Sequence, residues 1–424
     1  MIKVVKEVKM KYIFITFFIA IQIYVLFLTY YYNVISIFGL KREKEEEDCP
    51  PEKNFAIAIA AHNEEKVVGQ ILDNLKELDY PKELYDVFVI CDNCTDNTAK
   101  IVREKEVVAL ERVDRKNKGK GYALKWFFDL LFKMDKKYDA VVVFDADNLV
   151  TKNFLLKMNN NLIDGNEVIQ GYLDSKNPDD SWVTLSNALA YWITNRVFQL
   201  ARKRLKLNAA LGGTGFCMST NVLRKFGWNA MSLTEDLEFT MICTLNNIPV
   251  VWEHHARIYD EKPLTMKASF RQRVRWLQGH WDCCFRYSGK LLKQAFTKGS
   301  FPCFDAFIYL IQPSKMILDA FSFTMLLLRL IFHNIPIIKL VLPGWFWFIA
   351  LFFRYIIPII ALAFERVPIK RMFAIFIYPL YGITWVPISV LGLIKKDQKV
   401  WSHTKHDRVI EEEHLESIIN KKRI

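Results

Sequence analysis

The sequence predicts an α/β domain with a mostly parallel sheet, set between apolar segments at both ends of the chain. The prediction rests on three strand-like runs, FAIAIAA at 55–61, YDVFVIC at 85–91 and DAVVVFD at 139–145. Helix-like stretches at 64–78 and 120–134 separate them. Strands that alternate with helices are typical of a parallel sheet. Such sheets bind ligands beyond the carboxyl ends of their strands, so the residues after each run are the candidate site.

Composition and charge limit the class of protein before any motif is considered. The chain has 424 residues, of which 52% are hydrophobic and 14% aromatic, and its formal net charge is +12. So apolar a composition predicts membrane segments beside one sizeable folded domain. The basic residues form no blocks interleaved with aromatic ones, so no nucleic-acid partner is expected. The eight cysteines follow no framework spacing and are predicted to be free thiols in a reducing compartment.

An uncharged stretch at 12–38 predicts an N-terminal membrane anchor. It exceeds the roughly 20 residues that span a bilayer, and it lacks the short apolar core and small-residue cleavage site of a signal peptide. A charged linker follows at 41–48, and Pro50 marks a domain start. The predicted divisions are an anchor and linker at 1–49 and a folded domain at 50–300.

A C-terminal membrane region is predicted at 301–396. Its three hydrophobic stretches lie at about 304–333, 337–363 and 372–394. The last two are predicted spans. The first contains Pro313, Lys315 and Asp319, so an interfacial position for part of it stays open.

The side of the membrane is only partly determined by charge. The loop that contains Arg366, Lys370 and Arg371 is expected in the cytosol under the positive-inside rule. The polar tail at 397–424 also carries several lysines, so charge alone leaves the topology open. We expect an integral protein of the plasma membrane with its folded domain in the cytosol.

Acidic residues follow the first two strand-like runs. In AAHNEE at 60–65, Asn63 is expected as the N-cap of a helix, with Glu64 near the positive end of its dipole. In FVICDNCTDNT at 88–98, Asp92 is either part of a polar turn or a carboxylate that binds a hydroxyl or ring N–H of a ligand.

Two cysteines, Cys91 and Cys94, flank Asp92 and suggest a redox pair or half of a zinc site. No second cysteine pair or histidine cluster in the sequence completes such a site. Cys91 is therefore predicted to be a small packed hydrophobic residue.

The third run ends in Asp145-Ala146-Asp147. The chain usually bends at a strand end, so both carboxylates can reach one polyvalent group. Two carboxylates this close repel each other unless a cation lies with them. Hard oxygen ligands suit Mg²⁺ or Mn²⁺, and such ions also bind substrate phosphates. The alternative is a solvent-exposed strand end.

Two glycine-containing segments are candidates for close approach to a ligand. In KNKGKGYAL at 116–124, Lys118 and Lys120 could meet phosphates, although the Gly-Lys-Ser/Thr ending of a Walker loop is missing. The segment 208–223 is glycine-rich and apolar, which is typical of a loop packed beside a substrate.

Two further motifs carry polar groups on predicted helices. Thr234, Glu235 and Asp236 either cap a helix or place a general base at its start. Gln272, Arg275 and Trp276 fall at positions i, i+3 and i+4, which neighbour each other on a helix. They would combine an amide, a cation suited to phosphate and a ring suited to a sugar, or form an amphipathic interface helix.

Taken together, these motifs resemble family 2 glycosyltransferases, specifically the membrane-embedded processive group of cellulose, chitin, hyaluronan and poly-N-acetylglucosamine synthases. The shared pattern is Asp, Asp-x-Asp, Thr-Glu-Asp and Gln-x-x-Arg-Trp, in that order. The resemblance covers residues 53–300 by motif and the membrane parts by architecture. It implies a GT-A fold and a UDP-sugar donor.

The resemblance also implies a role for each matching residue. Those expected at the nucleotide sugar are Glu64, Asp92, Lys120, Asp145, Gln272 and Arg275. Asp147, with Asp145, is expected to hold Mg²⁺ or Mn²⁺, and Asp236 to be the catalytic base. Those expected at the acceptor are Gly213, Thr214, Glu235 and Trp276, beside an amphipathic stretch at 182–206 with Trp182 and Trp192. Direct displacement would give a β-linkage from an α-linked donor.

One departure from the family concerns gating. The Phe-x-Val-Thr-x-Lys motif of cellulose synthases is absent after Trp276, while VWSHTKH at 400–406 resembles the tail of shorter members. For that tail to reach the site, an even number of spans must separate it from the folded domain.

The expected acceptor is a growing β-linked polysaccharide, with export or accessory partners possible. One alternative is a non-processive transferase that glycosylates a membrane lipid, since ceramide glucosyltransferases resemble this pattern too. Another is a nucleotide-sugar-binding membrane subunit without catalysis.

Overall fold

The computed structural model describes residues 2–331, 343–398 and 408–409. The tail segment at 400–406, for which a gating role is expected, lies outside them. The described chain contains one mixed sheet, and its strands are β1 (Phe55–Ala61), β2 (Tyr85–Asp92), β3 (Val108–Arg112), β4 (Ala140–Asp145), β5 (Leu149–Val150), β6 (Val168–Ser175), β7 (Phe216–Ser219) and β8 (Val250–Asp260).

The sheet has the order β3-β2-β1-β4-β7-β6-β8-β5. The three predicted strands are confirmed as β1, β2 and β4, and with β3 they form a parallel half. The other half is mixed: β6 pairs parallel with β8, whereas β7 pairs antiparallel with both β4 and β6, and β5 pairs antiparallel with β8. β7 has only four residues and follows a glycine-rich loop, so its pattern is too short to predict from sequence.

Helices cover the sheet and extend from it. Those of the α/β part are α2 (Val68–Leu75), α3 (Thr98–Glu104), α4 (Lys120–Leu131), α5 (Phe154–Ile163), α6 (Trp182–Thr194), α7 (Ala201–Arg204), α8 (Thr220–Phe226), α9 (Glu235–Leu245) and α10 (Met266–Thr297). A π-helical turn, Asn195–Leu200, joins α6 to α7. The helices near the chain ends are α1 (Ile2–Ile37), α11 (Phe301–Leu310), α12 (Gln312–Ile331), α13 (Gly344–Phe364), α14 (Ile369–Met372), α15 (Tyr378–Ile383) and α16 (Trp385–Ile394).

Alternate residues of the strands pack into two hydrophobic layers. Ala58 and Ile90 lie on one face with Phe127, and Ile59 and Val89 lie on the other. This alternation follows from the period of two of an extended chain. Burying a side chain such as Phe127 stabilises the fold by about 2–3 kcal/mol, so both helix layers hold the sheet and fix its carboxyl edge.

The expected start of α2 at Asn63 is wrong. Asn63 has a positive φ of 57°, and its Oδ1 accepts the N–H of Thr95 at 2.7 Å. The helix begins five residues later, at Val68. Asn63 therefore joins the ends of β1 and β2 instead of capping the helix, and Glu64 lies in that loop.

Two helices of the described chain are long and apolar enough to cross a membrane, Lys9–Ile37 and Gly344–Phe364. A third candidate is a pair of segments bent by 50°, Ile369–Phe376 and Tyr378–Ile394. The predicted span at 372–394 is therefore not one straight helix, and the stretch at 304–333 is divided between α11 and α12.

Both ends of the bent pair contact the α/β part of the protein. Near its start, Arg371 Nε donates to Asp179 Oδ1 at 2.8 Å. At its end, the carbonyl of Lys395 accepts Nε2 of Gln278 at 3.1 Å. The chain after it returns to the same face, where Arg408 donates to Asp180 at 2.8 Å. Both ends of the segment 369–394 thus contact the α/β part, and its bend is compatible with either a broken span or a re-entrant loop.

Candidate active site

A cavity of about 1750 Å³ opens at the carboxyl edge of the parallel strands and extends between the apolar helices. All twelve residues that the sequence singled out as site residues line it. They are Glu64, Asp92, Lys120, Asp145, Asp147, Gly213, Thr214, Glu235, Asp236, Gln272, Arg275 and Trp276. Residues as much as 212 positions apart therefore meet because their strands and helices end at one edge of the sheet.

Asp92, at the end of β2, is held by a partner that the sequence analysis missed. Arg112 Nη1 donates to Asp92 Oδ1 at 2.6 Å, and the two side chains are 6% and 10% exposed. Burial raises the pKa of Asp92, while the Arg112 guanidinium opposes that rise. Arg112 ends β3 beside Asp92, so applying the strand-end rule to VALER would have found it.

Lys120 bridges two of the predicted site segments. Its Nζ donates to Asp145 Oδ1 and, at 2.6 Å, to the carbonyl of Gly213. Lys120 is the first residue of α4, directly after Gly119, whose φ is 111°. That conformation favours glycine and turns the lysine towards the strand ends.

The backbone around Asp145 and Asp147 is held by several hydrogen bonds. The Asp145 N–H donates to Thr214 Oγ1 at 3.0 Å. Asp147 Oδ2 accepts the N–H of Glu261 at 3.1 Å, and its carbonyl accepts Lys176 Nζ at 2.8 Å. These bonds hold the two carboxylates at the edge of the cavity.

Asp260, the last residue of β8, is a further carboxylate that the sequence analysis missed. Burial raises its pKa to about 6; Lys262, whose Nζ lies 2.8 Å from Oδ2, lowers it, and the charge of Asp147 raises it. Asp260 also lines the cavity. Its place at the end of VVWEHHARIYD is the signal that the strand-end rule would have used.

The donor set suits a hard divalent cation that brings other ligands with it. Asp145, Asp147 and Asp260 are oxygen donors whose mutual repulsion a cation would relieve. Within the described residues, no group of three His, Cys, Asp or Glu side chains is close enough to form a metal site alone. An ion here would therefore complete its coordination with water and substrate phosphate, as Mg²⁺ commonly does.

Glu235 and Asp236 begin α9 beside the cavity. Burial raises the pKa of both carboxyl groups, that of Glu235 to about 7, and the charge of Asp236 adds to the rise for Glu235. Lys120 and Arg275 act in the opposite direction on both. A Cβ at Gly213 would lie 3.4 Å from Asp236 Oδ2, so the glycine loop passes directly beside this carboxylate.

Thr234 occupies the N-cap position of α9, but its side chain makes no capping hydrogen bond. The interpretation of Thr-Glu-Asp as a simple capping motif is therefore wrong. Thr234 packs instead against α10, where a Cβ at Gly279 would lie 2.3 Å from Thr234 Oγ1. The missing side chain of Gly279 lets α10 approach the start of α9.

That close approach positions the Gln-x-x-Arg-Trp motif. Gln272, Arg275 and Trp276 lie on α10 and all line the cavity, as their spacing predicts. Arg275 is near enough to lower the pKa of both Glu235 and Asp236 electrostatically. Between them, Arg273 points away from the motif and is buried, with Nη1 donating to Thr384 at 2.9 Å.

The two tryptophans of the expected acceptor platform differ in environment. Trp192 is buried, and its Nε1 donates to Asp174 at 2.7 Å. Trp182 is 48% exposed. On the same helix, Tyr191 lines the cavity with Lys262 Nζ 3.3 Å from its ring centre. Of the two tryptophans, Trp182 alone exposes its ring at the protein surface. Tyr191 exposes its ring to the cavity.

All eight cysteines are free thiols. Cys91 is 2% exposed, and its hydrogen bond to Cys94 and its burial raise its pKa. Neither cysteine is among the residues that line the cavity. The prediction that Cys91 is a packed hydrophobic residue is confirmed.

Comparison with known proteins agrees with this geometry. A family model described as "Glycosyltransferase like family 2" matches residues 50–279. The chain belongs to this family. The family 2 match spans all four motifs and ends at Gly279.

Two curated relatives and one solved structure illustrate the range of the family. Beta-monoglucosyldiacylglycerol synthase of Nostoc sp. PCC 7120 is 26% identical over 312 residues, covering 71% of this chain and 64% of the relative. Poly-beta-1,6-N-acetyl-D-glucosamine synthase of Staphylococcus aureus COL is 25% identical over 288 residues, covering 64% and 67%. The mannosyltransferase PcManGT of Pyrobaculum calidifontis, solved with GDP-Man and Mn²⁺, has a TM-score of 0.59 at 16% identity and covers 90% of this chain and 99% of its own. The fold is thus the expected GT-A type.

Proposed function

We propose that this family 2 protein is an inverting hexosyltransferase that moves glucose or N-acetylglucosamine from a UDP-sugar to a hydroxyl group at the membrane face. The observation that carries the proposal is the meeting of Asp236, Arg275 and the Asp145/Asp147 pair in one cavity. These groups supply a base, a cation for the leaving group and oxygen ligands for a metal ion.

The nucleotide fits the polar end of the cavity. Asp92, held by Arg112, can accept a hydrogen bond from the uracil ring, and Glu64 lies on the neighbouring strand end. Lys120 and Arg275 carry positive charge towards the diphosphate, and Gln272 adds an amide donor. A divalent ion bound by Asp145 and Asp147 would neutralise charge on the leaving diphosphate.

Asp236 is proposed as the base that removes the proton of the acceptor hydroxyl. Burial raises its pKa, which strengthens the carboxylate as a base. Arg275 stabilises the negative charge that develops on UDP as it leaves. Displacement on the opposite face of the sugar inverts the anomeric centre, so an α-linked donor gives a β-linked product.

The acceptor is proposed to lie where the cavity meets Gly213, Thr214, Glu235 and Trp276. A growing β-linked polysaccharide would stack a sugar on Trp276. A membrane lipid is the second candidate, and one observation favours it. The cavity continues from Asp236 between the apolar helices, where Leu26, Met316, Phe323 and Leu351 line it. Such a lining matches acyl chains better than it matches a hydrated polymer.

The proposed organisation follows the predicted divisions 1–49, 50–300, 301–396 and 397–424, in an integral protein of the plasma membrane with the α/β part in the cytosol. Two sets of contacts support a tail that returns to the catalytic side. Both ends of the segment 369–394 contact the α/β part, and the Arg408 N–H donates to Glu261, next to Asp260, at 3.1 Å. A role of the tail in gating, and an export or accessory partner, remain part of the proposal.

A donor screen tests the proposal. The purified full-length protein in lipid vesicles would be given Mn²⁺ or Mg²⁺ and a panel of UDP-sugars, with UDP release and product mass recorded. We expect release from one donor, its loss in EDTA, and recovery on adding the metal. Full activity in EDTA would contradict the metal site, and no release from any donor and acceptor would favour a non-catalytic binding subunit.

A further inference from the structure

Three charged side chains lie within the apolar helices next to the active site. On α12, Lys315 Nζ is 2.6 Å from Asp319 Oδ2, and Arg354 Nη1 on α13 is 3.5 Å from the same oxygen. Asp319 and Arg354 line the cavity that also contains Asp236. Charged groups in such helices are costly, so their presence usually reflects function.

This Lys315–Asp319–Arg354 trio carries a net charge of +1, because two cations share one carboxylate. The Lys315 side chain is 11% exposed and compensates Asp319, whereas Arg354 is 61% exposed. Within the described part of the chain, the hydrogen bond of Arg354 is the long one to Asp319. Most of its five N–H donors therefore remain available to an anion in the cavity.

The position of the trio along its two helices follows from helix geometry. Asp319 lies seven residues after Gln312, where α12 begins, which is about 10 Å along a helix. Arg354 lies eleven residues before Glu365, the residue that follows α13, which is about 16 Å along the helix axis. Glu365 is buried against the α/β part, 2.7 Å from Arg196 Nε. The charged groups of the trio thus lie about 10 Å along α12 from Gln312 and about 16 Å along α13 from Glu365.

We propose that the trio binds the phosphodiester of an anionic phospholipid, and that this lipid is the acceptor. This inference rests on the proposed function. A guanidinium group matches phosphate oxygens in a bidentate manner, and one phosphodiester neutralises the net charge of the trio. The apolar residues around it hold the acyl chains. Since Asp236 lines the same cavity, a hydroxyl of the lipid headgroup is placed to approach that carboxylate.

The transfer step has a simple balance. A headgroup oxygen forms a bond to the anomeric carbon of the donor, and the bond from that carbon to the UDP oxygen breaks with its electron pair going to UDP. The proton of the headgroup hydroxyl passes to Asp236. The product is a glycosylated phospholipid that keeps its phosphodiester charge.

Reconstitution with defined lipids tests the inference. Vesicles of phosphatidylcholine would contain either phosphatidylinositol or uncharged diacylglycerol, and glycolipid formation and lipid binding would be measured by mass spectrometry. The variants are Arg354→Met, Arg354→Lys and the control Lys370→Met. Lys370 is an exposed cation on α14 outside the cavity lining.

We expect phosphatidylinositol to be bound and glycosylated in preference to diacylglycerol. Arg354→Met should raise the KM for phosphatidylinositol about tenfold or more without changing the KM for the UDP-sugar. Arg354→Lys should retain part of the affinity, and Lys370→Met all of it. Equal use of diacylglycerol, or an unchanged lipid KM in Arg354→Met, would overturn the inference. If no donor is cleaved at all, the proposed function fails. In that case, binding of phosphatidylinositol that depends on Arg354 would still support the anion site. Absence of such binding would overturn the anion site as well.

Discussion

Arg112 and Asp92 form a buried ion pair at the carboxyl edge of the sheet, with a 2.6 Å hydrogen bond and side chains that are 6% and 10% exposed. The pair explains how a buried carboxylate can be kept at the proposed nucleotide end of the cavity although burial raises its pKa. Charged groups removed from water require such partners. Arg112 is therefore expected to position Asp92 without contacting the ligand itself.

Replacing Arg112 by Met should lower the free energy of unfolding by about 3 kcal/mol or more near neutral pH, because Asp92 loses its buried partner. The loss should be smaller at pH 5. Without Arg112 the folded-state pKa of Asp92 lies further above its unfolded value, so protonation at the lower pH removes the buried charge. Chemical denaturation at both pH values measures this. The exposed pair Arg103–Glu111, with both side chains 56% exposed, supplies the control. Arg103→Met should cost about 0–1 kcal/mol, and an equal loss in both variants would contradict the account.

Removing both thiols near Asp92 should leave catalysis intact. Cys91→Ala with Cys94→Ser should cost about 1 kcal/mol of stability and keep the rate of sugar transfer. Asp92→Ala should instead abolish transfer by weakening donor binding, as measured by calorimetry with UDP. A folded but inactive double cysteine variant would show that the sulfurs, not the acid between them, carry the chemistry.

The pH dependence of kcat/KM should separate Asp236 from Glu235. A base acts only when deprotonated, so activity should fall as the pH drops through the raised pKa of Asp236, above the ordinary range of an aspartate. Glu235, whose pKa burial raises to about 7, is not assigned the role of base. Glu235→Gln should therefore keep the acid limb of the profile. Disappearance of that limb in Glu235→Gln would identify Glu235 as the base.

Asp260 should contribute to metal affinity. Asp260→Asn should raise the Mn²⁺ concentration for half-saturation about tenfold, because it removes a negative charge beside Asp147. Electron paramagnetic resonance of free Mn²⁺ measures this binding without turnover. Asp86→Asn is the matched control, since Asp86 lies at the other end of β2 and accepts the Tyr138 hydroxyl at 2.8 Å. Unchanged Mn²⁺ binding in Asp260→Asn would exclude the contribution.

The parts of the fold that sequence predicts best are those with a strong local pattern. The runs at β1, β2 and β4 alternate between two buried faces, and the acids after them have to share one sheet edge. β7 is too short for such a pattern, so its antiparallel pairing with β4 and β6 was missed. The bend within 369–394 was missed because apolar composition fixes neither the direction nor the straightness of a helix.

The candidate site was predictable to the extent that its residues follow strand ends or repeat at helical spacing. Arg112 and Asp260 obey the same rule as Asp92 and Asp145, but β3 and β8 were not recognised as strands of this sheet. Gly279 could not be found from spacing. Its role is to have no side chain at the point where Thr234 packs against α10. Such a contact depends on two helices that are distant in sequence.

The role of Asp236 is the central claim, and Asp236→Asn in the full-length protein tests it most directly. UDP binding by isothermal titration calorimetry and sugar transfer by product mass spectrometry would be measured on the same preparation. We predict that the variant binds UDP with an affinity close to that of the unchanged protein and that its transfer rate falls by about a hundredfold or more. Retained transfer, or loss of UDP binding together with transfer, would contradict the assignment of Asp236 as the catalytic base.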